Sequence, residues 1–414
     1  SISQNAAYHL AKSYIEIRNK IEALNYFKIA SQYSFDSSIQ EDALFNYAKL
    51  SFDLNSNIEP FKEYMSKYTP SQEKFNEIQN YIATAYLLDK DYTRALQALS
   101  NIINPSDNEI INLKKAAFLR GMELMELNSY REAIPIFNTA LQRNSSNISL
   151  SNIIQFWLAE AYYRDNQFQR SIEINLSLAT RNNSFKNHRE YPLTMFNLAY
   201  GYFRISNYDL AEQWFSRFLS NSPNTFPAQA NEARVRRGDC LFMLRKYQEA
   251  IESYNKVNSS DQNLQNHSNF QIAIALGLIG NDRAKIETLR AMLPKSLDKS
   301  IRPQVLYELA RTLVQIGDYT GAIFYLNEIN NNFSNTHFYP KSLLELGLIS
   351  LNRGENFNAI NFYKRIMEQA PNSPEAQSAL IGLENIYQDM GRAGEYLQYL
   401  DQLGLSATRS TEER

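Results

Sequence analysis

The chain has 414 residues, with 42 Lys and Arg against 44 Asp and Glu and a formal net charge of -2, which gives no electrostatic basis for wrapping nucleic acid or lying on an anionic membrane. No run of about 18 apolar residues is present, so no transmembrane segment is expected, and the opening residues SISQNAAYHL lack the basic and apolar regions of an export signal. The single cysteine, Cys240, cannot close an internal disulfide and stands in an apolar helical pattern, where it reads as a small buried hydrophobe.

One pattern recurs along the chain, as in SYREAIPIFNTAL from position 129, NYDLAEQWFSRFL from 207, LRKYQEAIESYNKV from 244 and DYTGAIFYLNEI from 318. An aromatic residue is followed three positions on by Ala, and four positions later by a bulky apolar side chain, a spacing that stacks these residues on one helix face. Aligned on the Ala position, the copies fall at Ala23, Pro60, Ala95, Ala133, Ser171, Ala211, Ala250, Lys285, Ala322, Ala359 and Tyr396, 35 to 40 residues apart. Twelve residues before the first ten of these stand Ala11, Ala48, Ala83, Gly121, Ala159, Ala199, Gly238, Ala273, Ala310 and Gly347, every one Ala or Gly. A small residue at a fixed point lets two helices approach closely.

Each unit therefore reads as an A helix and a B helix joined by a short polar turn. The first A helix opens on Ser3 as its N-cap. The second unit puts Asn57 at the aromatic position and Pro60 at the Ala position, near the first turn of its B helix, where the missing N–H costs little. Turns follow at DKD (89–91) and LNS (127–129), and Pro135 lies about a turn and a half into its B helix, where a kink is expected. DNQ (165–167), ISN (205–207) and LRK (244–246) are the turns of the fifth to seventh units. The eighth carries Asp282 and Lys285 at the pattern positions and runs into LPKSLDKSIRPQ, where Pro294 and Pro303 frame a basic connector. A bend is expected near 290–303, with a long inter-repeat loop as the alternative. IGD (316–318) and RGE (353–355) are the next turns, and the eleventh unit departs again at Ala393 and Tyr396. Packing is expected to be looser in the second, eighth and eleventh units. The ending SATRSTEER sets Ser410 and Glu413 at capping-box spacing, which reads the chain as a piece of a longer array, against a polar tail as the alternative. No long stretch alternates with period two, so the fold class is all-α. A lone hairpin cannot bury its apolar stripe, so residues 1–414 are expected to form a single array of about eleven stacked hairpins.

The succession of a small residue, a ring or Leu, an aromatic, an Ala and a bulky apolar residue resembles the tetratricopeptide repeat, here as Ala199, Tyr202, Tyr208, Ala211 and Phe215, followed by Pro223. The resemblance covers nearly the whole chain, with a period a few residues over the usual ~34. The loops SNSPNTFPAQ and QAPNSPEAQ are similar to those of bacterial envelope members of the family, the outer-membrane assembly lipoproteins and the periplasmic proteins of the Tol-Pal system. The resemblance implies a right-handed α-solenoid whose A helices line a concave groove, acting as a protein- or peptide-binding scaffold. It points to the periplasm or cell envelope, with the cytoplasm as the alternative.

Nothing in the sequence marks catalysis. His9, His188, His267 and His337 are scattered with no HExxH, and neither a Gly-rich phosphate loop nor GxSxG occurs, so no catalytic residue, metal site or cofactor is expected. In the resembled family the positions three before and one after the small residue face the groove; the first of these include Tyr8, Phe45, Asn80, Phe118, Phe156 and Phe196. The partner-binding surface is expected around units five to seven, at Phe156, Trp157, Tyr163, Arg164, Phe196, Asn197, Tyr200, Phe203, Arg204, Arg236 and Asp239, a mixture of rings and guanidinium groups suited to an extended peptide. The competing reading is that the rings pack between helices and that each arginine pairs with a local acid, Arg236 with Asp239 for example. The family's clamp for chain-terminal carboxylates is matched only by Asn197 and Arg236, with Phe156, Glu160 and Glu232 at its other positions, so that ligand is not expected. The alternative function is a glycan-binding helical-repeat protein of the periplasm, since exposed rings also stack on sugars.

Overall fold

The structure, a computed structural model, describes residues 2–180, 183–221, 224–294 and 300–405. Those residues form 22 α-helices in eleven successive hairpins, with no strand. The chain divides into two compact units, Ser1–Trp214 and Phe215–Arg414. In the first lie α1 (Ile2–Glu16) and α2 (Lys20–Gln32), α3 (Ser37–Asn55) and α4 (Glu59–Lys67), α5 (Gln72–Leu88) and α6 (Tyr92–Ser100), α7 (Asp107–Glu126) and α8 (Tyr130–Leu141), α9 (Ile148–Arg164) and α10 (Phe168–Thr180), and α11 (Tyr191–Arg204). The division falls within α12 (Tyr208–Asn221). The second unit continues with α13 (Pro227–Met243) and α14 (Tyr247–Asn255), α15 (Gln262–Leu278) and α16 (Asp282–Met292), α17 (Arg302–Gln315) and α18 (Tyr319–Asn332), α19 (Phe338–Asn352) and α20 (Asn356–Gln369), and α21 (Pro374–Asp389) and α22 (Ala393–Gln402). Within each unit helices pack on their neighbours in sequence, and A helices also touch the next A helix, α7 on α9 and α17 on α19 among them. This is solenoid packing, in which every hairpin covers the apolar stripe of the next.

The row of small residues is where A and B helices meet. All ten are buried. At the three glycines the B helix presents a ring: an added Cβ would stand 2.2 Å from Phe137 at Gly121, 2.5 Å from Tyr254 at Gly238 and 2.2 Å from Tyr363 at Gly347. Those rings sit four residues after the Ala anchors and are almost fully buried. The sequence spacing thus fixes the core: anchor and ring on the B helix, and a residue small enough to admit the ring on the A helix.

The turns follow the expected positions. The middle residue of each predicted turn, Lys90, Asn128, Asn166, Ser206, Arg245, Gly317 and Gly354, adopts left-handed backbone, and Arg18, Ser56, Gly280 and Gly391 do the same in the other four hairpins. The bonding is that of a helix end closed on itself; at Asn128 its N–H bonds to Met125 O and that of Ser129 to Leu124 O. Asp91 and Asp318 then cap the B helices they precede.

A second fixed position went unread in the sequence. Seven residues before the small residue, several A helices carry an amide that bonds to the backbone leaving the same hairpin. Asn76 Nδ2 donates to Ile103 O at 2.9 Å while its Oδ1 accepts from Ile103 N at 3.3 Å. Asn231 does the same with Asn258, at 2.8 and 3.1 Å. Gln4, one methylene longer, reaches Tyr33 O, Asp36 O and Asp36 N. Each is a clasp of neutral hydrogen bonds across 27 residues or more of chain, satisfying backbone groups at a helix end.

Several local expectations change. Ser3 is not a cap, because α1 already includes Ile2. Pro60 sits in the first turn of α4 as expected. Pro135 lies inside α8. Lys285 does not leave a gap at its Ala position: its stem crosses the face of Gly277, and its amine reaches Glu308 at 3.3 Å, the behaviour of a long side chain that buries its methylenes and keeps its charge at an acid. Tyr396 is likewise buried, against Tyr387. Pro294 follows α16 and Pro303 lies in the first turn of α17; the connector between them, with residues 295–299, and the capping-box pair Ser410 and Glu413 lie outside the described residues, as does Pro223.

Candidate functional site

In the first unit the structure gathers part of the expected surface. Tyr163, at the end of α9, meets Phe168 of α10 edge-on at 5.4 Å and Tyr200 of α11 at 6.4 Å; Tyr200 in turn meets Phe196 at 4.9 Å. Arg204 lays its guanidinium over the Phe168 ring at 4.6 Å and reaches the Tyr163 phenol. Burial pushes the Tyr163 phenol up from its ordinary pKa, and Arg204 opposes that shift. No carboxylate among the described residues pairs with Arg204, which is exposed. Its charge is held by rings and left uncompensated, the form of an arginine available to an acidic group.

The other expected residues divide. Phe156 is 4% exposed and packs with Leu178 and Phe185, so it is core and not surface. Trp157 is half-buried between that cluster and its neighbour, edge-on to Phe156 at 5.7 Å. Asn197 is half-buried, and Phe203 packs on Tyr208 at 5.6 Å. Arg164 pairs with Glu160 of its own helix at 2.7 Å. That last pairing is a local contact of the kind that one helical turn provides.

Arg236 and Asp239 stand in the second unit, where they form a network of their own. Arg236 donates to Asp239 at 2.8 Å, the local pairing weighed against a ligand role. Asp239 also accepts from the buried Tyr254 hydroxyl at 2.7 Å and contacts His267 of α15 at 2.9 Å. Burial pushes the Asp239 carboxyl up, but the bonds and charge of His267, with Tyr254 and Arg236, pull it below the ordinary carboxylate value. The network ties the seventh hairpin to the eighth.

Sequence reasoning also passed over two concavities in the first unit. One of about 280 Å³ is lined by Phe52, Glu77, Asn80, Tyr81 and Thr84. Asn80 and Thr84 hold the positions three before and one after Ala83, so the groove pattern marks both, with Asn80 an amide in a row of mostly aromatic residues. Lys49 pairs with Glu77 at its edge, at 2.6 Å. The other, of about 650 Å³, opens between α2, α3 and α4 and is polar, lined by Lys28, Tyr47, Asn57, Glu59, Lys62 and Glu63 among others. Among the described residues no group of three or more His, Cys, Asp or Glu is placed to hold a metal ion, and no helix is long and apolar enough to cross a membrane.

Family models described as tetratricopeptide repeat match residues 118–185, 196–263 and 341–373. Among solved structures, the chain is similar to the C-terminal part of a TPR repeat-containing protein from Cytophaga hutchinsonii, at 17% identity and TM-score 0.51, covering 64% of this chain and 99% of that one. It also aligns with PilW, a type IV pilus biogenesis factor, at 20% identity and TM-score 0.39, covering 55% of this chain and 98% of that one. A third alignment, with the apo form of RapI, has 12% identity and TM-score 0.38 and covers 80% and 99%. No curated protein matches by sequence. At these identities a structural likeness speaks to fold alone. The repeat matches at three places, the hairpin series and the small-residue row agree: the chain is a tetratricopeptide-repeat protein.

Proposed function

We propose that this chain is a non-catalytic scaffold that binds a protein or peptide on its A-helix face, with the surface around Tyr163, Phe168, Tyr200 and Arg204 as an anchor. The observation that carries this reading is Arg204, exposed, seated on a ring and paired with no acid among the described residues. The ring contact orders the guanidinium without neutralising it, which leaves a bidentate donor for an acidic side chain of a ligand, with ring surface beside it for an apolar neighbour. The 280 Å³ cavity at Asn80 and Thr84 is of a size for one side chain and supports the same face as the ligand surface. The rings around Tyr200 meet at 61° and 79°, edge to face; a sugar would be better served by a flat platform, which favours peptide over glycan. We further place the scaffold in a bacterial cell envelope, on the likeness of its loops to those of envelope members of the family.

A random peptide library displayed against the full chain tests the proposal. Enriched sequences are expected to be acidic with an adjacent apolar residue, and their affinity to fall by at least tenfold in Arg204→Ala, a loss of about 1.4 kcal/mol. Peptides that bind Arg204→Ala as well as the native chain, yet lose affinity on a B-helix change such as Phe324→Ser, would overturn it; Phe324 is 67% exposed on α18.

A further inference from the structure

The amide clasp fails in one hairpin, and the failure is informative. Asn266 in α15 occupies the same position as Asn76 and Asn231, is 4% exposed, and has no partner for its Nδ2. Its Oδ1 accepts only from Gln262 of its own helix, at 3.0 Å. Asn76 and Asn231 each grip the residue 27 positions on; for Asn266 that residue is Leu293. Leu293 has other partners. Its carbonyl accepts from Arg302 Nη1 at 2.8 Å, and its N–H donates to Arg290 O at 3.2 Å. Arg302 is itself fixed by Glu328, at 2.7 Å.

The cause lies in helix length. α6 and α14 each have 9 residues, so the chain has uncoiled by the time it reaches Ile103 and Asn258. α16 starts at the same place in its repeat but has 11 residues, and Leu293, its C-cap, still holds right-handed helical backbone. The two additional residues carry Leu293 away from the geometry in which its siblings meet the amide. A buried amide hydrogen without a partner is costly, and uncoiling the last turn of α16 is the move that would supply one.

We propose that the end of α16 is a two-position joint. In one position the last turn is coiled and Arg302 holds the Leu293 carbonyl. In the other the turn is uncoiled, Arg302 lets go, and Asn266 clasps the Leu293 backbone as Asn76 clasps Ile103 and Asn231 clasps Asn258. The exchange trades the Arg302 bond and the last helical bonds for two amide bonds and removes the orphaned donor, so the two positions lie close in free energy. The joint changes where the chain leaves the eighth hairpin for α17, and a partner that contacts either side can select one position.

Hydrogen exchange of the amides of Arg290 to Met292 in the full chain is the test, because the two donors compete. Asn266→Leu removes the uncoiled position and is expected to slow exchange about tenfold, while Arg302→Met removes the coiled one and speeds it about tenfold; each factor corresponds to about 1.4 kcal/mol. Asn231→Leu is the contrast. Its clasp is already closed, so exchange at Asn258 speeds up. If Asn266→Leu does not fold, Asn266→Ala takes its place with the same expected sign. Exchange that speeds up in both the Asn266 and Arg302 variants, or that changes in neither, describes a fixed joint and overturns the proposal.

Discussion

Gly238 is the position at which the packing rule can be tested most sharply. A methyl group there would lie 2.5 Å from Tyr254 Cε1 and 2.7 Å from two further ring carbons, where carbon atoms in good contact keep ~3.5–4.0 Å. The ring must retreat by roughly 1 Å. In the second hairpin an alanine does face a tyrosine, Ala48 and Tyr64, but there the hydroxyl is turned to Glu41, seven residues before the alanine, at 2.6 Å. Tyr254 instead donates to Asp239, the residue next to Gly238, at 2.7 Å, so its ring is tied to the very place it would have to leave. Overpacking costs roughly 1–3 kcal/mol, and loss of a bond to a charged acceptor adds about 1.5–3 kcal/mol. The better helix propensity of alanine returns up to ~1 kcal/mol. Gly238→Ala is therefore expected to destabilise by roughly 1.5–5 kcal/mol, a fall of about 3–20 °C in Tm for a unit of this size, and Gly238→Leu by more. Asn258→Leu is the control. Its side chain is exposed and only its backbone bonds to Asn231. Thermal and urea melts of the three variants decide the matter, and Gly238→Ala combined with Tyr254→Leu, the pairing that Ala310 and Leu326 use, should recover part of the loss. A Gly238→Ala variant that melts with the native chain, or a double variant as unstable as the summed singles, would refute the packing assignment.

Lys114 is buried with its amine on the Ser151 hydroxyl at 2.7 Å, and burial lowers its pKa against the opposing pull of Asp107. The folded chain thus disfavours its proton, a penalty fully present below the folded pKa and relieved as pH rises toward the unfolded value. Lys114→Met should gain roughly 1–2 kcal/mol near neutral pH and lose the alkaline rise in stability seen in the native chain; equal melts across that range would contradict it. Glu345 has its carboxyl raised by burial, opposed by Arg311 and by the Tyr307 hydroxyl. Its contribution is present below the unfolded pKa and lost as pH rises through the folded one, so Glu345→Gln should melt with the native chain at acid pH and above it at neutral pH. Arg245→Gly relieves a left-handed arginine in the seventh turn and should raise stability by about 1 kcal/mol, whereas Gly317→Ala in the equivalent turn should lower it; urea midpoints of both variants check the sign.

The hairpins were legible because their signal is local and repeats: the spacing of Tyr247, Ala250 and Tyr254 is a property of one helix, and eleven copies make it hard to miss. Arg164 with Glu160 and Arg236 with Asp239 were legible for the same reason, each spanning a single turn. Phe156 was misplaced because a ring at a groove position and a ring under a loop look alike until Phe185, in an insertion of the fifth repeat, is seen to fold over it. Contacts across repeats could not be read. Arg204 reaches Phe168 and Tyr163 over 36 to 41 residues, and His267 reaches Asp239 over 28, separations set by how hairpins stack and not by any helical period. The clasp amides are the intermediate case: Asn76, Asn152, Asn231 and Asn266 share one offset from the small residue, but a polar residue in a first helical turn reads as a cap until its partner is known.

The turns also bear on how the chain folds. Hairpins one to seven turn on a residue with a side chain, from Arg18 to Arg245, and hairpins eight to eleven turn on glycine, from Gly280 to Gly391. Closing a hairpin sends that residue through left-handed backbone before any helix contact has formed, which costs about 1–2 kcal/mol for a residue with a Cβ and little for glycine. A repeat chain nucleates wherever a nucleus is cheapest and then grows by templating the next hairpin on the last. Nucleation should therefore begin among residues 262–402, so that in pulse-labelling exchange α17 to α22 gain protection before α1 to α6; the reverse order would remove this argument. During synthesis the sequence leaves the ribosome in the opposite order. The hairpins that close least readily emerge first, and they wait as exposed amphipathic helices for a template that has yet to be made.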